Sequence, residues 1–319
     1  MAVLTGLDIV YNGLTFCIDP YSKMSVGITT ADEPMTAITD VSRSGLSMQG
    51  NTAQVRDNAP SSNFKPVYRT EKQGTINFIS SGAGSSRENF NYGYFRVGDP
   101  TNGINCFSVD EPWSVDFWFK QQAFDEYFAY QASNLYSNST IWTSYSGTYP
   151  NFTYRQQTGI RVWIANMSHS ADTYSIYIGA TDKSLVSGIP GNEYSLNCQT
   201  ASCDAETWYH FCGVIDPGNT LGNSTDDRRA YPYVNGVFSS ESGTGKWQTG
   251  EIYEAGTFTP SYTNTSHMYM GASSSQNSFH DDLRSNGAKG RMGAFKIYNR
   301  ALTASEVLKN YDALKERYQ

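Results

Sequence analysis

Thirty Asp and Glu side chains are spread over 319 residues, and the chemistry nearest their reach is acid–base attack on a glycosidic bond. That reaction needs two carboxyl groups facing each other across a groove, about 5–5.5 Å apart in a retaining enzyme. On one strand the pair must be separated by an even number of positions to share a face. Asp110 and Asp116 have such a spacing, with Glu111 beside them, but Pro112 and Trp113 interrupt the run. Glu251 and Glu254 are oddly spaced and fall on opposite faces of an extended segment, while Asp226-Asp227 and Asp281-Asp282 are adjacent pairs in polar surroundings. All of these read first as solvated or turn-capping carboxylates. No Gly-x-Ser-x-Gly elbow offers a nucleophile, and the Ser-rich stretch 81–86 has loop composition. Neither glycine-rich phosphate-binding signature is present.

Metal and thiol chemistry are equally sparse. His169, His210, His267 and His280 are the four histidines, and no two have ligand spacing. Cys17, Cys106 and Cys212 sit in apolar or alternating stretches and read as buried small hydrophobes. Cys198 and Cys203 lie close together in a polar segment, where a local disulfide and two free thiols both remain open.

Aromatic residues offer more. Residues 131–157 carry Tyr136, Trp142, Tyr145, Tyr149, Phe152 and Tyr154 among Ser, Thr, Asn and Gly. Rigid amphipathic rings among small polar residues make adaptable binding surfaces, and sugar rings can stack on them while hydroxyls and amides bind their edges. Trp142, Tyr145 and Tyr149 are the residues assigned to glycan contact. The same aromatics could instead pack back onto the domain or form a subunit contact.

Composition narrows the classes further. Charged residues are 17% and aromatic residues 14% of the chain, so it is polar-rich without being disordered. The net charge of −7, with no Lys/Arg run longer than Arg228-Arg229, gives no footprint for nucleic acid. No window of 18 or more apolar residues predicts a membrane span, and the opening segment, with Asp8 and no basic stretch, does not read as a secretory signal.

The elements that must position these groups are strands. Period-2 alternation marks residues 14–18, 75–79, 94–97, 114–119, 160–164, 174–178, 208–215, 230–234, 267–271 and 291–298. Trp113, Val115, Phe117 and Phe119 share one face of their strand, and Ser114, Asp116, Trp118 and Lys120 the other. Trp118 is expected between the sheets or under a loop. The strand opened by Trp208 is apolar on both faces, as a central strand covered on its outer side would be. Asn235-Gly236 predicts a tight hairpin, because both residues accept positive φ. Thr303 and Glu306 form a capping-box pattern ahead of a helix over 304–317, and Arg300 is expected to clamp nearby loop carbonyls. The whole chain, 1–319, is expected to be one domain. Residues 22–66 read as an extended arm or excursion outside the core, and 131–157 and 239–266 as decorated loops. The expected core includes Phe16, Ile18, Phe95, Val97, Val115, Phe117, Phe119, Val162, Ile164, Ile176, Ile178, Cys212, Val214, Tyr233, Met270, Phe295 and Ile297.

Four stretches together carry a resemblance: "WYHFCGVID", "YPYVNGV", "HMYMGASS" and "GRMGAFKIYNRALTASEVLKNYDALKERY". With "YFRVGDPTNGINCFSVDEPWSVDFWFK" upstream, they resemble the concanavalin A-like lectin/glucanase superfamily, in its laminin-G-like form. The opening "GLDIVYNGLTFCIDP" and the closing "YNRALT" are similar to the branch found in tailed-phage structural proteins. The resemblance implies an all-β jelly-roll β-sandwich of two curved antiparallel sheets with one C-terminal helix. It also implies a non-enzymatic virion protein, assembled in the host cytoplasm as a capsid decoration or tail-fibre component. Its partners would be copies of itself, other virion proteins and host-surface glycan. A carbohydrate-binding lectin-like module is the alternative, and a glycoside hydrolase with an atypical acidic pair a further one. The superfamily's hydrolase motif, Glu-x-Asp-x-x-Glu, is absent. No cofactor is expected, except that related modules hold a calcium ion on loop carboxylates, a role that would fall to Asp281 and Asp282.

Overall fold

The computed structural model describes residues 8–27, 32–42, 47–54, 65–78, 80–81, 91–97, 111–123, 139–146, 158–168, 172–182, 194–218, 220–221, 230–239, 267–271 and 289–319. In chain order the strands are β1 (Leu14–Ile18), β2 (Ala37–Thr39), β3 (Ser47–Gln54), β4 (Val67–Arg69), β5 (Thr75–Phe78), β6 (Ser80–Ser81), β7 (Asn91–Val97), β8 (Trp113–Gln121) and β9 (Ser139–Ser146). They continue as β10 (Thr158–Ser168), β11 (Thr173–Asp182), β12 (Tyr194–Gln199), β13 (Cys203–Asp204), β14 (Tyr209–Ile215), β15 (Ala230–Val234), β16 (Val237–Phe238), β17 (His267–Met270) and β18 (Gly290–Tyr298). A short helix, α1 (Lys23–Val26), follows β1, and α2 (Ala304–Tyr318) closes the described chain.

Two antiparallel sheets result, the all-β jelly-roll sandwich that the resemblance implies. One has eight strands in the order β16-β15-β14-β8-β18-β5-β4, with β1 also paired to β18. The other has ten, in the order β12-β11-β10-β9-β17-β7-β3-β2, with β13 and β6 at its margins. Trp113, Val115, Phe117 and Phe119 of β8 point between the sheets, where they meet Val162, Ile164, Ile176 and Ile178 of the ten-stranded sheet in one apolar cluster. Phe117 packs against Phe211 and Phe295 on its two neighbouring strands, with ring centroids 5.6 and 5.7 Å away.

The opposite face of the eight-stranded sheet is apolar too, and α2 covers it. Thr303 Oγ1 accepts from the Glu306 N–H and the Glu306 carboxylate accepts from the Thr303 N–H, so both halves of the capping box form. Leu314 and Tyr318 of the helix bury Trp118, Trp208 and Ala294. Tyr318 lies between the two indoles, with centroids 4.8 Å from Trp118 and 5.1 Å from Trp208, and its hydroxyl accepts the Ala294 N–H at 2.9 Å. Trp118 is therefore a helix-docking residue, packed under α2. A second cluster under the helix start holds Cys212, Val214 and Tyr233 with Val10, Tyr298 and Val307. Those three strand residues are buried, as expected of core positions. They belong to this outer layer, because alternation identifies two apolar faces of β14 without saying which one meets the other sheet.

Three further expectations are corrected. Residues 22–66 are not outside the core: Val26, Met35 and Ile38 are buried in the cluster between the sheets, and β2 and β3 extend the ten-stranded sheet. A three-residue strand is too short to display a period. Residues 131–157 are not wholly loop, since β9 lies among them and pairs with both β10 and β17. Cys198 and Cys203 are not in a polar loop: they sit in β12 and β13, buried in the inter-sheet cluster as free thiols. Residues 240–266, Cys106 and the side chain of Val97 lie outside what is described.

Candidate functional site

The helix and the inter-sheet core account for three of the four sheet faces. The fourth is the outward face of the ten-stranded sheet. Val162, Ile164, Ile176, Ile178, Phe95 and Met270 fix which rows of that sheet face inward, and the pairing register then assigns the alternate rows outward. One outward row crosses the sheet without a break. It runs Ala37, Gln49, Arg96, Tyr269, Thr143, Arg161, Gly179 and Asn197, each paired with the next. On one side its neighbouring row contains His267, Tyr145, Gly159, Thr181 and Ser195. On the other side Trp163, Tyr177 and Gln199 are paired in line. Ser175 and Gln199 occupy outward rows and are nevertheless buried, so the β11–β12 end of the face is covered.

This register divides the expected aromatic set. Tyr145 is in the outward rows. Position 142 pairs with Val162 and Met270, both fully buried, and so belongs to an inward row. The side chains of Trp142 and Tyr145 lie outside what is described. The odd spacing of 142 and 145 forces one of them inward. Tyr149, Asp281 and Asp282 lie outside the described residues. Among the described residues no group of three or more His, Cys, Asp or Glu could hold a metal ion. Sequence reasoning missed Arg96, Arg161, Thr143 and Tyr269. Their signal was present in "FRV", "IRVWI" and "HMYM", as the polar or aromatic members that alternate with core residues.

Asp116, the best-spaced of the acids, is fully buried between the eight-stranded sheet and α2. Its Oδ1 pairs with the Lys296 ammonium. Its Oδ2 accepts from Asn310 Nδ2 at 3.0 Å and lies 2.9 Å from His210 Nε2. Burial opposes ionisation most strongly, yet Lys296 and His210, by charge and hydrogen bonding, together hold the carboxyl well below the usual carboxylate range. Asp116 is an interior ion with every oxygen engaged. It faces no groove.

The remaining marked residues are structural. Asn235 and Gly236 adopt φ of 50° and 78° and close the β15–β16 hairpin, while Asn235 Oδ1 accepts the His210 N–H at 3.0 Å. Arg300 donates from Nε to the Asn12 carbonyl at 2.9 Å and grips both oxygens of Glu306 at 2.8 and 2.6 Å. This fork holds Glu306, against a smaller opposing effect of burial, down from 4.5 to about 2.

No family model matches this chain, and no curated protein matches it. Among solved structures it is similar to domain 4 of AbnA, an extracellular GH43 arabinanase of Geobacillus stearothermophilus, in complex with arabinotriose. That match has 13% identity and a TM-score of 0.44 over 97% of this chain and 100% of that one. It is also similar to the botulinum neurotoxin type G receptor-binding domain, with 12% identity and a TM-score of 0.46 over 94% of this chain and 51% of the other. A Trypanosoma rangeli sialidase matches at 11% identity and a TM-score of 0.43, over 96% of this chain and 33% of the sialidase. The chain thus spans about half of the toxin structure and a third of the sialidase.

Proposed function

We propose that the chain is a non-catalytic, lectin-like module whose outward ten-stranded face binds a glycan. The observation that carries this reading is the unbroken row from Gln49 to Arg161, flanked by Tyr145 and His267. Tyr145 and Tyr269 would supply aromatic surface for the apolar face of a sugar ring, and Thr143 and Gln49 hydroxyl and amide groups for its rim. The burial of Asp116 supports the non-catalytic part, since it removes the best-spaced acid from any cleft. A glycan-array screen followed by titration calorimetry tests the reading. Tyr145→Ala and Tyr269→Ala should each weaken the best ligand about tenfold or more, at unchanged melting temperature. Absence of binding to any glycan at millimolar concentration by folded protein would overturn the reading.

A second reading, a structural component of a phage particle acting as a homo-oligomer, is supported by one surface feature. Val237, Phe238 and Leu308 are 65%, 40% and 43% exposed where the terminal strand of the eight-stranded sheet meets α2. Exposed apolar side chains grouped at a sheet edge suit a subunit contact. Light scattering of the wild type and of Val237→Lys/Leu308→Lys decides it: the oligomer expected of the wild type should dissociate in the variant, and a monomeric wild type would count against the reading.

A further inference from the structure

Independently of the glycan reading, we infer that Lys296 and Asp116 mature into an intramolecular amide cross-link between β18 and β8. The two residues are direct cross-strand partners in the eight-stranded sheet. The Lys296 ammonium meets Asp116 Oδ1, and the two side chains are 1% and 0% exposed. Cys17 on β1 and Cys212 on β14 flank them in register, and Asn310 of α2 closes the layer above. An ion pair so deeply placed adds little over apolar residues of the same shape, so stability alone does not call for it. A carboxyl and an amine held in contact away from water are also the reactants of amide formation.

The remaining contacts suit that reaction. Asp116 Oδ2 lies 3.0 Å from Asn310 Nδ2 and 2.9 Å from His210 Nε2. His210 Nδ1 is buried without a hydrogen-bond partner among the described residues, so the ring proton belongs on Nε2, where the carboxylate accepts it. Two N–H groups therefore aim at the one oxygen on which negative charge would develop. The newly folded chain holds the pair as ions. Moving one proton along the existing contact, from Nζ to Oδ1, gives the neutral amine and acid. Nζ then attacks the Asp116 carboxyl carbon, and Oδ2 carries the charge of the tetrahedral intermediate between Asn310 and His210. A second Nζ proton passes to Oδ1, which leaves as water. One C–N bond forms, one C–O bond breaks, and nothing is oxidised or reduced. Each chain reacts once, so enforced proximity makes even a minor neutral population sufficient. Exclusion of water then protects the product from hydrolysis.

Intact-mass spectrometry of the full chain, folded and kept for several days at body temperature, tests this. Most of the population should lose the mass of one water, and a tryptic digest should join segments 97–120 and 292–300, with Lys296 uncleaved. Lys296→Arg keeps the cation without the amine nucleophile and should retain its full mass. Wild type held unfolded in urea over the same time should do so too, because only the fold brings the groups together. The aged protein should also show a higher urea midpoint than the fresh protein, since the bridge joins positions 180 residues apart. Folded wild type that stays at its full sequence mass overturns the inference, whatever the variant does. So does a water loss confined to one peptide, which marks a cyclised aspartyl residue, or the loss of one ammonia, which marks an asparagine as the reacting group. Each of these outcomes leaves the glycan reading untouched.

Discussion

Asn310 on α2 and Asp116 on β8 lie 194 residues apart and share a buried hydrogen bond of 3.0 Å. The same amide donates to the Tyr298 hydroxyl at 3.0 Å and accepts the Val10 N–H at 2.8 Å. One asparagine thus ties the helix to two central strands and to the segment before β1. Taking ions out of water costs several kcal/mol each, so such a network gains little over an apolar replacement of the same shape. Losing one partner, however, strands the others.

Asn310→Leu is therefore expected to cost about 2–4 kcal/mol, because it leaves the Val10 N–H unpaired and removes a donor from Asp116. Lys296→Met should cost about 3–5 kcal/mol by leaving a buried charge without its counter-ion. Urea denaturation of each variant checks both values, and a loss below 1 kcal/mol in both would contradict the network's role.

Acid should act through two carboxylates with the same sign. Asp116 and Glu306 both have folded values below their unfolded ones. Each contributes stability that is present above the unfolded value and lost as pH falls towards the folded one. For Glu306 that window runs from 4.5 down to about 2. Glu306→Gln should flatten the urea midpoint across this window and cost about 0.5–1 kcal/mol at neutral pH, since the pair is partly exposed and screened. Asp116→Asn should lower neutral stability more and weaken the dependence below about pH 4.

Gly213→Ala tests the approach of the two sheets. A Cβ there would meet Ile178 Cγ2 at 2.4 Å and its Cδ1 at 2.6 Å. Overpacking of this kind costs about 1–3 kcal/mol. Ile178→Ala should partly rescue Gly213→Ala, giving a coupling that a double-mutant cycle would measure.

Burial pushes the Cys203 thiol up to about 12 and raises those of Cys17, Cys198 and Cys212 well above the usual thiol range. Thiolate is the reactive form. In a Cys106→Ser background, native protein should therefore react negligibly with a disulfide reagent at neutral pH and release four equivalents after denaturation. Rapid native reaction of Cys198 or Cys203 would contradict their placement in the core.

Local signals in the sequence carried the parts of the fold that are locally encoded. Thr303 and Glu306 announce the helix, Asn235-Gly236 announces its hairpin, and the alternation of β8 and β14 identifies both of their faces. What local pattern cannot supply is the partner of each face. Cys212, Val214 and Tyr233 look like sandwich core until α2 is placed over them. Met35 and Ile38 lie in or beside a strand too short to display a period. Asp116, His210, Lys296 and Asn310 converge from positions whose separations mean nothing along the chain. Trp142 and Tyr145 look equivalent in composition, and only the register with Val162 and Met270 separates them.

The pairing of β1 with β18, and of β8 with β18, has a consequence for synthesis. Strand β18 sits in the middle of its sheet with neighbours made at opposite times, Leu14 meeting Tyr298 and Phe117 meeting Phe295. Until residues 290–318 leave the ribosome, β8 lacks one hydrogen-bonded edge and Trp118 lacks its cover. Such long loop closures are slow, and the half-made sheet is an open template for the wrong strand. Folding of this domain should therefore wait for the emergence of β18, with a window for chaperone capture that closes only when α2 docks.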